Sequence, residues 1–250
     1  MRMPGSAQSV IRLGRAAARR AVGVALAPIG SVVAVATRAP RIVLTFDDGP
    51  DDEVTPRILD VLEASGSSAT FFVLMTRVQR SPDLLTEITR RGNEIGLHGS
   101  DHRRLTALPP TEVTRRVEDA SNELRALTGR RVRWFRPPYG AQTLATARAI
   151  RKAGLTPVLW GPSLWDWKDV QPEERRMRAL RGLRAGSIVL GHDGIAGPAD
   201  GDEDGRPPML DRALWLREML ETYAELGLAG RSLGEVATTG RLVRRAQFVR

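Results

Sequence analysis

From residue 41 onward, short β-branched and aromatic runs alternate with segments whose apolar positions recur at helical spacing. Ile42–Phe46, Thr70–Leu74, Glu94–Leu97, Trp134–Arg136, Thr156–Trp160 and Ser187–Leu190 read as strands. Between them, Thr55–Ser65, Asp83–Arg91, Thr111–Thr128, Thr143–Lys152 and Glu173–Leu183 read as helices, and Leu210–Leu226 as a last amphipathic one. Repeated strand–helix units predict an α/β domain built on a parallel sheet or a β/α barrel.

Polar residues punctuate this pattern at the C-terminal ends of the strands. Asp47-Asp48 follows the first strand, His98–His102 the third and Arg136–Gly140 the fourth. Asp166 follows the fifth after a short loop, and His192 follows the sixth. β/α barrels carry their chemistry at that face, where strand ends converge and the loops supply side chains. Core histidines and stray acids would not keep landing at the same end of successive strands.

Residues 21–37 form an apolar or small-residue run after Arg19-Arg20, broken by Pro28 and Gly30. Three readings fit residues 1–40. One is a short helix followed by an edge strand at Ser31–Thr37. A second is a secretory signal with Ala34-Val35-Ala36 as its small-x-small site. A third is a membrane anchor, for which the run is short. The compartment therefore stays open, as does association with a membrane or the cell envelope. The catalytic domain is expected over 41–250.

Composition narrows the chemistry. The chain has 250 residues and no cysteine, so disulfides, thiolate metal sites and cysteine nucleophiles are excluded. Net charge is +9, but residues 1–40 hold Arg2, Arg12, Arg15, Arg19, Arg20 and Arg38 with no acid. The remaining 32 bases and 29 acids leave +3. Only Lys152 and Lys168 are lysines, and the basic ends lack aromatics apart from Phe248. Nucleic-acid binding is not expected from such a pattern.

His98-Gly-Ser-Asp-His102 sets two imidazoles four residues apart, a spacing suited to one metal on a helix or tight loop and equally found in surface pairs. The chain has only three histidines, and all lie at strand ends. Adjacent acids such as Asp47 and Asp48 often make a turn or helix cap. Beside two histidines they also suit a divided task, one carboxylate on a metal and one as base. Arg136-Pro-Pro-Tyr-Gly140 is either an ordinary tight turn or a rigid loop aiming a backbone N–H at a developing oxyanion.

Taken together and in order, these segments resemble the polysaccharide deacetylase family, the NodB-homology domain of carbohydrate esterase family 4. Thr45-Phe-Asp-Asp-Gly-Pro50, His98–His102, Arg136-Pro-Pro-Tyr-Gly140, Asp166-Trp167 and Leu190-Gly-His192 match its five motifs. Ala69-Thr-Phe-Phe72 and Asn93-Glu-Ile-Gly96 are similar too. The likeness runs from Ile42 to the last helix. It implies a single-domain distorted (β/α)7-type barrel and a hydrolase that removes N-acetyl groups from an N-acetylated carbohydrate. It also implies a divalent metal, usually zinc, with cobalt or another divalent ion able to replace it.

The roles carry over residue by residue. Asp48, His98 and His102 would hold the metal. Asp47 would be the base, oriented by Arg136. The backbone N–H of Tyr139 would stabilise the oxyanion. His192 would be the acid, with Asp166 raising its pKa, and Trp167 and Leu190 would line the acetyl pocket. Two positions depart from the family pattern. Gly99 replaces a Ser or Thr that ties the metal loop together, with Ser100 as a substitute one place later, and Ser163 stands where an earlier Asp often lies. The loop Gly194–Pro208 reads either as a lid or as a solvated excursion, and no second metal site is assigned to its acids. Two alternatives stay open: hydrolysis of an imide or ureido C–N bond, and a sugar-binding relative without catalysis.

Overall fold

Period-two patterning in the run Arg41–Asp47 decides which way each side chain faces. In the computed structural model, which describes residues 30–202 and 207–248, this run is strand β2, after β1 at Ser31–Ala36. Ile42, Leu44 and Phe46 pack outward with the helices in the larger core cluster. Val43 packs inward with Val32, Phe72, Trp134, Val158 and Ile188 in a smaller one. Thr45 and Asp47 share the face of Val43, so they continue that interior toward the strand's end.

The remaining elements follow in strand–helix order. They are α1 (Val54–Ala64), β3 (Thr70–Leu74), α2 (Met75–Arg80), α3 (Pro82–Arg90), β4 (Glu94–Gly99), α4 (Pro110–Thr128), β5 (Trp134–Phe135) and α5 (Leu144–Lys152). After these come β6 (Thr156–Pro157), α6 (Pro172–Leu180), β7 (Ile188–His192), α7 (Arg212–Glu225), β8 (Ala229–Arg231), α8 (Leu233–Thr238) and β9 (Arg241–Arg245). The parallel ladder runs β6-β5-β4-β3-β2-β7, and β8 pairs with the first residues of β2.

The ladder does not close directly from β7 to β6. β1 crosses the seam through a parallel bridge Val32–Val158 and an antiparallel bridge Ala34–Ser187, and Ser163 bridges Leu190 above it. Gly186 makes the crossing possible: it has φ +77, and a Cβ there would lie 1.7 Å from the Val35 carbonyl oxygen. This is the single α/β domain with a parallel sheet that the strand–helix alternation predicts, distorted at one seam.

Several details differ from the sequence pattern. β6 stops at Pro157 rather than Trp160, because Val158 and Leu159 turn their hydrogen bonds to Phe135 and to Val32. β7 extends to His192, so that residue ends the strand instead of following it. The short helix α2 and the tail β8–α8–β9 were not legible, being too short for a period to emerge. β1 packs Val32 and Val35 into the inner core, so the packed domain begins before residue 41. The expected N-terminal helix, and most of the apolar run, lie outside the described residues. Among the described residues, no helix is long and apolar enough to cross a membrane.

Phe71 is fully buried with its ring 5.2 Å from that of Phe46. Phe71→Ala is expected to destabilise the fold by about 3–5 kcal/mol, the usual cost of emptying an aromatic core position, as read from a urea unfolding midpoint.

Candidate active site

The strand ends deliver their polar residues to one cavity of about 460 Å3. Asp47, Asp48, His98, His102, Tyr139, Trp167, Leu190 and His192 all line it. Arg136 lies beneath, fully buried, and Asp166 stands behind His192. A larger cavity of about 610 Å3 lies at the N-terminal ends of β2 and β8, lined mainly by apolar groups such as Val61, Leu220 and Leu228. It holds no metal-ligating cluster among the described residues, so size is a poorer guide here than chemistry.

Asp48, His98 and His102 form a compact three-donor group. Asp48 Oδ1 is 3.3 Å from His98 Nε2 and 3.3 Å from His102 Nε2. Ligand bonds of about 2.0–2.1 Å meeting at a tetrahedral angle place donor atoms about 3.3 Å apart. Both rings are pinned in the tautomer a metal requires. His98 Nδ1 lies 2.8 Å from the Arg136 carbonyl oxygen, and His102 Nδ1 lies 2.9 Å from Asp202 Oδ2. Each Nδ1 therefore carries the hydrogen and each Nε2 presents a lone pair toward Asp48. Burial pushes His102 below the ordinary imidazole range despite Asp48 and Asp202, which favours the neutral ring. Burial opposes ionisation of Asp48, but positive charge on the rings of His98, His192 and His102, when they carry a second proton, outweighs it and holds this carboxyl well below its usual range. Asp48 Oδ1 is buried without a hydrogen-bond donor. An anionic oxygen facing two lone pairs fits a cation, and the residues present fit a divalent metal.

Two further charged pairs, Asp47 with Arg136 and His192 with Asp166, flank this cluster. Asp47 and His192 are direct partners across the parallel ladder of β2 and β7, so strand register alone sets this carboxylate and this imidazole side by side. Arg136 Nη1 donates to Asp47 Oδ1 at 2.7 Å and to Thr45 Oγ1 at 2.8 Å, and its guanidinium stacks 4.2 Å over the Phe72 ring. Burial lowers the pKa of Arg136 while Asp47 raises it again, and the group stays cationic. With Oδ1 held, Asp47 Oδ2 is the oxygen left toward the cluster, 3.9 Å from His98 Nε2.

His192 Nδ1 lies 2.8 Å from Asp166 Oδ1, and its backbone N–H donates to Asp166 Oδ2 at 2.7 Å. Burial opposes the imidazolium, but Asp166 outweighs it and raises His192 to about 9. Trp167 packs edge-on to the His192 ring at 5.0 Å. Tyr139 has φ 59, which turns the Arg136–Gly140 loop under the cavity.

The two departures have local explanations. Gly99 ends β4 with φ +147, and a Cβ would lie 2.8 Å from the Asp101 carbonyl oxygen. The side chain missing there would be strained in this loop. Ser100 does not replace it at the cluster: its hydroxyl donates to the Arg116 carbonyl on α4. Ser163 ties its loop to β7, accepting from the Trp165 N–H at 3.3 Å and donating to the Leu190 carbonyl at 3.4 Å.

Sequence reasoning missed four contributors. Thr45 shares Arg136 with Asp47, Arg104 stacks 4.0 Å over the Tyr139 ring, Trp160 lines the cavity, and Asp202 holds His102. Thr45 was visible as the first residue of the Thr-Phe-Asp-Asp motif. The others sit in loops whose return to the cavity no local pattern records.

The model of the family described as polysaccharide deacetylase matches residues 34–158. The chain belongs to the polysaccharide deacetylase family. It is 34% identical over 167 residues to a chitooligosaccharide deacetylase of Azorhizobium caulinodans, covering 66% of this chain and 80% of that relative. It is 37% identical over 153 residues to the peptidoglycan-N-acetylglucosamine deacetylase PgdA of Listeria monocytogenes, covering 61% of this chain but only 32% of that longer protein. The solved structure of the peptidoglycan deacetylase PdaC from Bacillus subtilis superposes with a TM-score of 0.66 at 28% identity, over 81% of this chain and 92% of that one. As a deacetylase of this family, the chain is a hydrolase of non-peptide carbon–nitrogen bonds.

The His192–Asp166 pair generates a pH prediction. The imidazole of the metal-free protein should keep its proton until pH rises through about 9, as followed by NMR. The stability this contributes is fully present below pH 6.5 and lost as pH rises through about 9. Asp166→Asn should move the midpoint down toward the ordinary imidazole range. An unmoved midpoint would contradict the pairing.

Proposed function

We propose that this deacetylase removes the N-acetyl group of an amino-sugar residue with a divalent metal, zinc in the first instance, held by Asp48, His98 and His102. The observation that carries the reading is the juxtaposition of two paired proton carriers, Asp47 with Arg136 and His192 with Asp166, on either side of one three-donor cluster. The names of the relatives, which act on chitooligosaccharide and on peptidoglycan N-acetylglucosamine, bring N-acetylated carbohydrate to this chain as the substrate class.

A divalent ion held there lowers the pKa of water and polarises the amide carbonyl. The residues do the rest. Asp47, kept ionised and oriented by Arg136, takes a proton from the attacking water at Oδ2. The Tyr139 backbone N–H faces the oxyanion as the water oxygen bonds to the carbonyl carbon. His192 has Nδ1 engaged by Asp166, so Nε2–H gives its proton to the amide nitrogen as the C–N bond breaks, leaving acetate and a free amine. Trp167 and Leu190 enclose the methyl group and exclude bulk water.

Acetate release from N-acetylglucosamine oligomers tests the proposal. Chelator should abolish release, and zinc or cobalt should restore it. Asp47→Asn should lower kcat by about 10²–10⁴ while leaving metal stoichiometry at one. Release that survives Asp47→Asn would remove Asp47 as the base. Metal binding without release from any N-acetyl sugar would redirect the reading to another C–N bond.

A further inference from the structure

The stretch from Ile195 to Asp202 grips the three-donor cluster from both sides. Its Ala196 N–H donates to Asp48 Oδ2 at 3.2 Å, and its Asp200 carbonyl accepts the His102 N–H at 2.7 Å. Its last described residue, Asp202, meets His102 Nδ1 at 2.9 Å. The Tyr139 ring packs against the His102 ring with centroids 4.4 Å apart, so the Arg136–Gly140 loop meets the same ligand from another side.

The stretch is itself anchored. Asp200 is 1% exposed, and Thr76 Oγ1 donates to its Oδ1 at 3.0 Å. Arg77 Nε donates to Asp200 Oδ2 at 2.9 Å, Arg77 Nη2 donates to the Ile195 carbonyl at 2.6 Å, and Arg80 pairs with Asp200 as well. These anchors come from α2, the short helix next to the cavity. Over residues 195–202 this segment is therefore tied to α2 by several side chains.

We infer that Asp202 is a positioning residue for the metal, a carboxylate that fixes the tautomer and angle of His102. The inference rests on the proposed metal site. A histidine that donates Nδ1–H to a carboxylate presents a more basic Nε2 in a fixed direction, and losing such a partner typically weakens metal binding about 10–100-fold. Asp202 sits on the segment that Asp200 anchors, so its oxygen is delivered at hydrogen-bond distance without help from substrate.

The test compares wild-type protein with Asp202→Asn and Asp202→Ala, using zinc in competition with a chromophoric chelator and the visible spectrum of the cobalt-substituted forms. Asp202→Ala should weaken zinc binding about 10–100-fold and alter the cobalt bands. Asp202→Asn, whose amide oxygen still accepts from Nδ1–H, should lose less. Thermal melting of the metal-free forms should coincide, separating the effect from unfolding. Wild-type affinity and an unchanged cobalt spectrum in both variants would overturn the role of Asp202 and leave the proposed function standing. Failure of wild-type protein to bind zinc or cobalt would overturn both.

Discussion

A buried carboxylate oxygen, Asp48 Oδ1, faces the lone pairs of two imidazole nitrogens at 3.3 Å each. That contact is repulsive unless a proton on one of the rings or a metal ion stands among the three atoms. A change of tautomer does not relieve it. Both Nδ1 atoms are committed to acceptors, the Arg136 carbonyl and Asp202. The carboxylate is itself held by a residue with φ 70 and by the Ala196 N–H. A fold that keeps such an arrangement carries strain of about 1–3 kcal/mol at each left-handed non-glycine residue. The three described ones are Asp48, Tyr139 and Trp165, which hold a donor of the cluster, the turn of the Arg136–Gly140 loop and the approach to Asp166.

Below that cluster the barrel interior changes character in layers. Val43, Phe72, Trp134 and Ile188 make an apolar floor. Arg136 lies on it, stacked on Phe72 and tied to Thr45 and Asp47. A lone guanidinium at 0% exposure would be costly, but here it pairs with Asp47 at 2.7 Å beside the second carboxylate, Asp48. The parallel ladder then places His192 directly opposite Asp47. A one-residue slip between β2 and β7 would turn one of these two side chains to the helix layer, so the spacing of Asp47 and His192 and the outer-core packing are enforced by the same register.

This division explains what the chain disclosed before folding. The β2 run ends in its acids, and His98, Arg136 and His192 sit at strand ends, so alternation and punctuation alone pointed to one face of a parallel sheet. The ordered motifs then assigned a part to each of them. Asp202 was present in the sequence as one acid among several in a Gly- and Pro-rich loop, and nothing local distinguished it from Glu203 or Asp204. Its place depends on α2 gripping Asp200 across 124 positions of chain from Thr76, a contact with no periodic trace. The seam strand β1 and the tail β8–β9 were obscure for a similar reason: their partners are distant and their lengths short.

The most direct measurement is anomalous X-ray scattering at the zinc edge from crystals of zinc-loaded protein. The account predicts one strong peak about 2.0–2.1 Å from Asp48 Oδ1, His98 Nε2 and His102 Nε2, with Arg136 still on Asp47. A peak elsewhere, or none at saturating zinc, would contradict the claim that these three residues hold the metal.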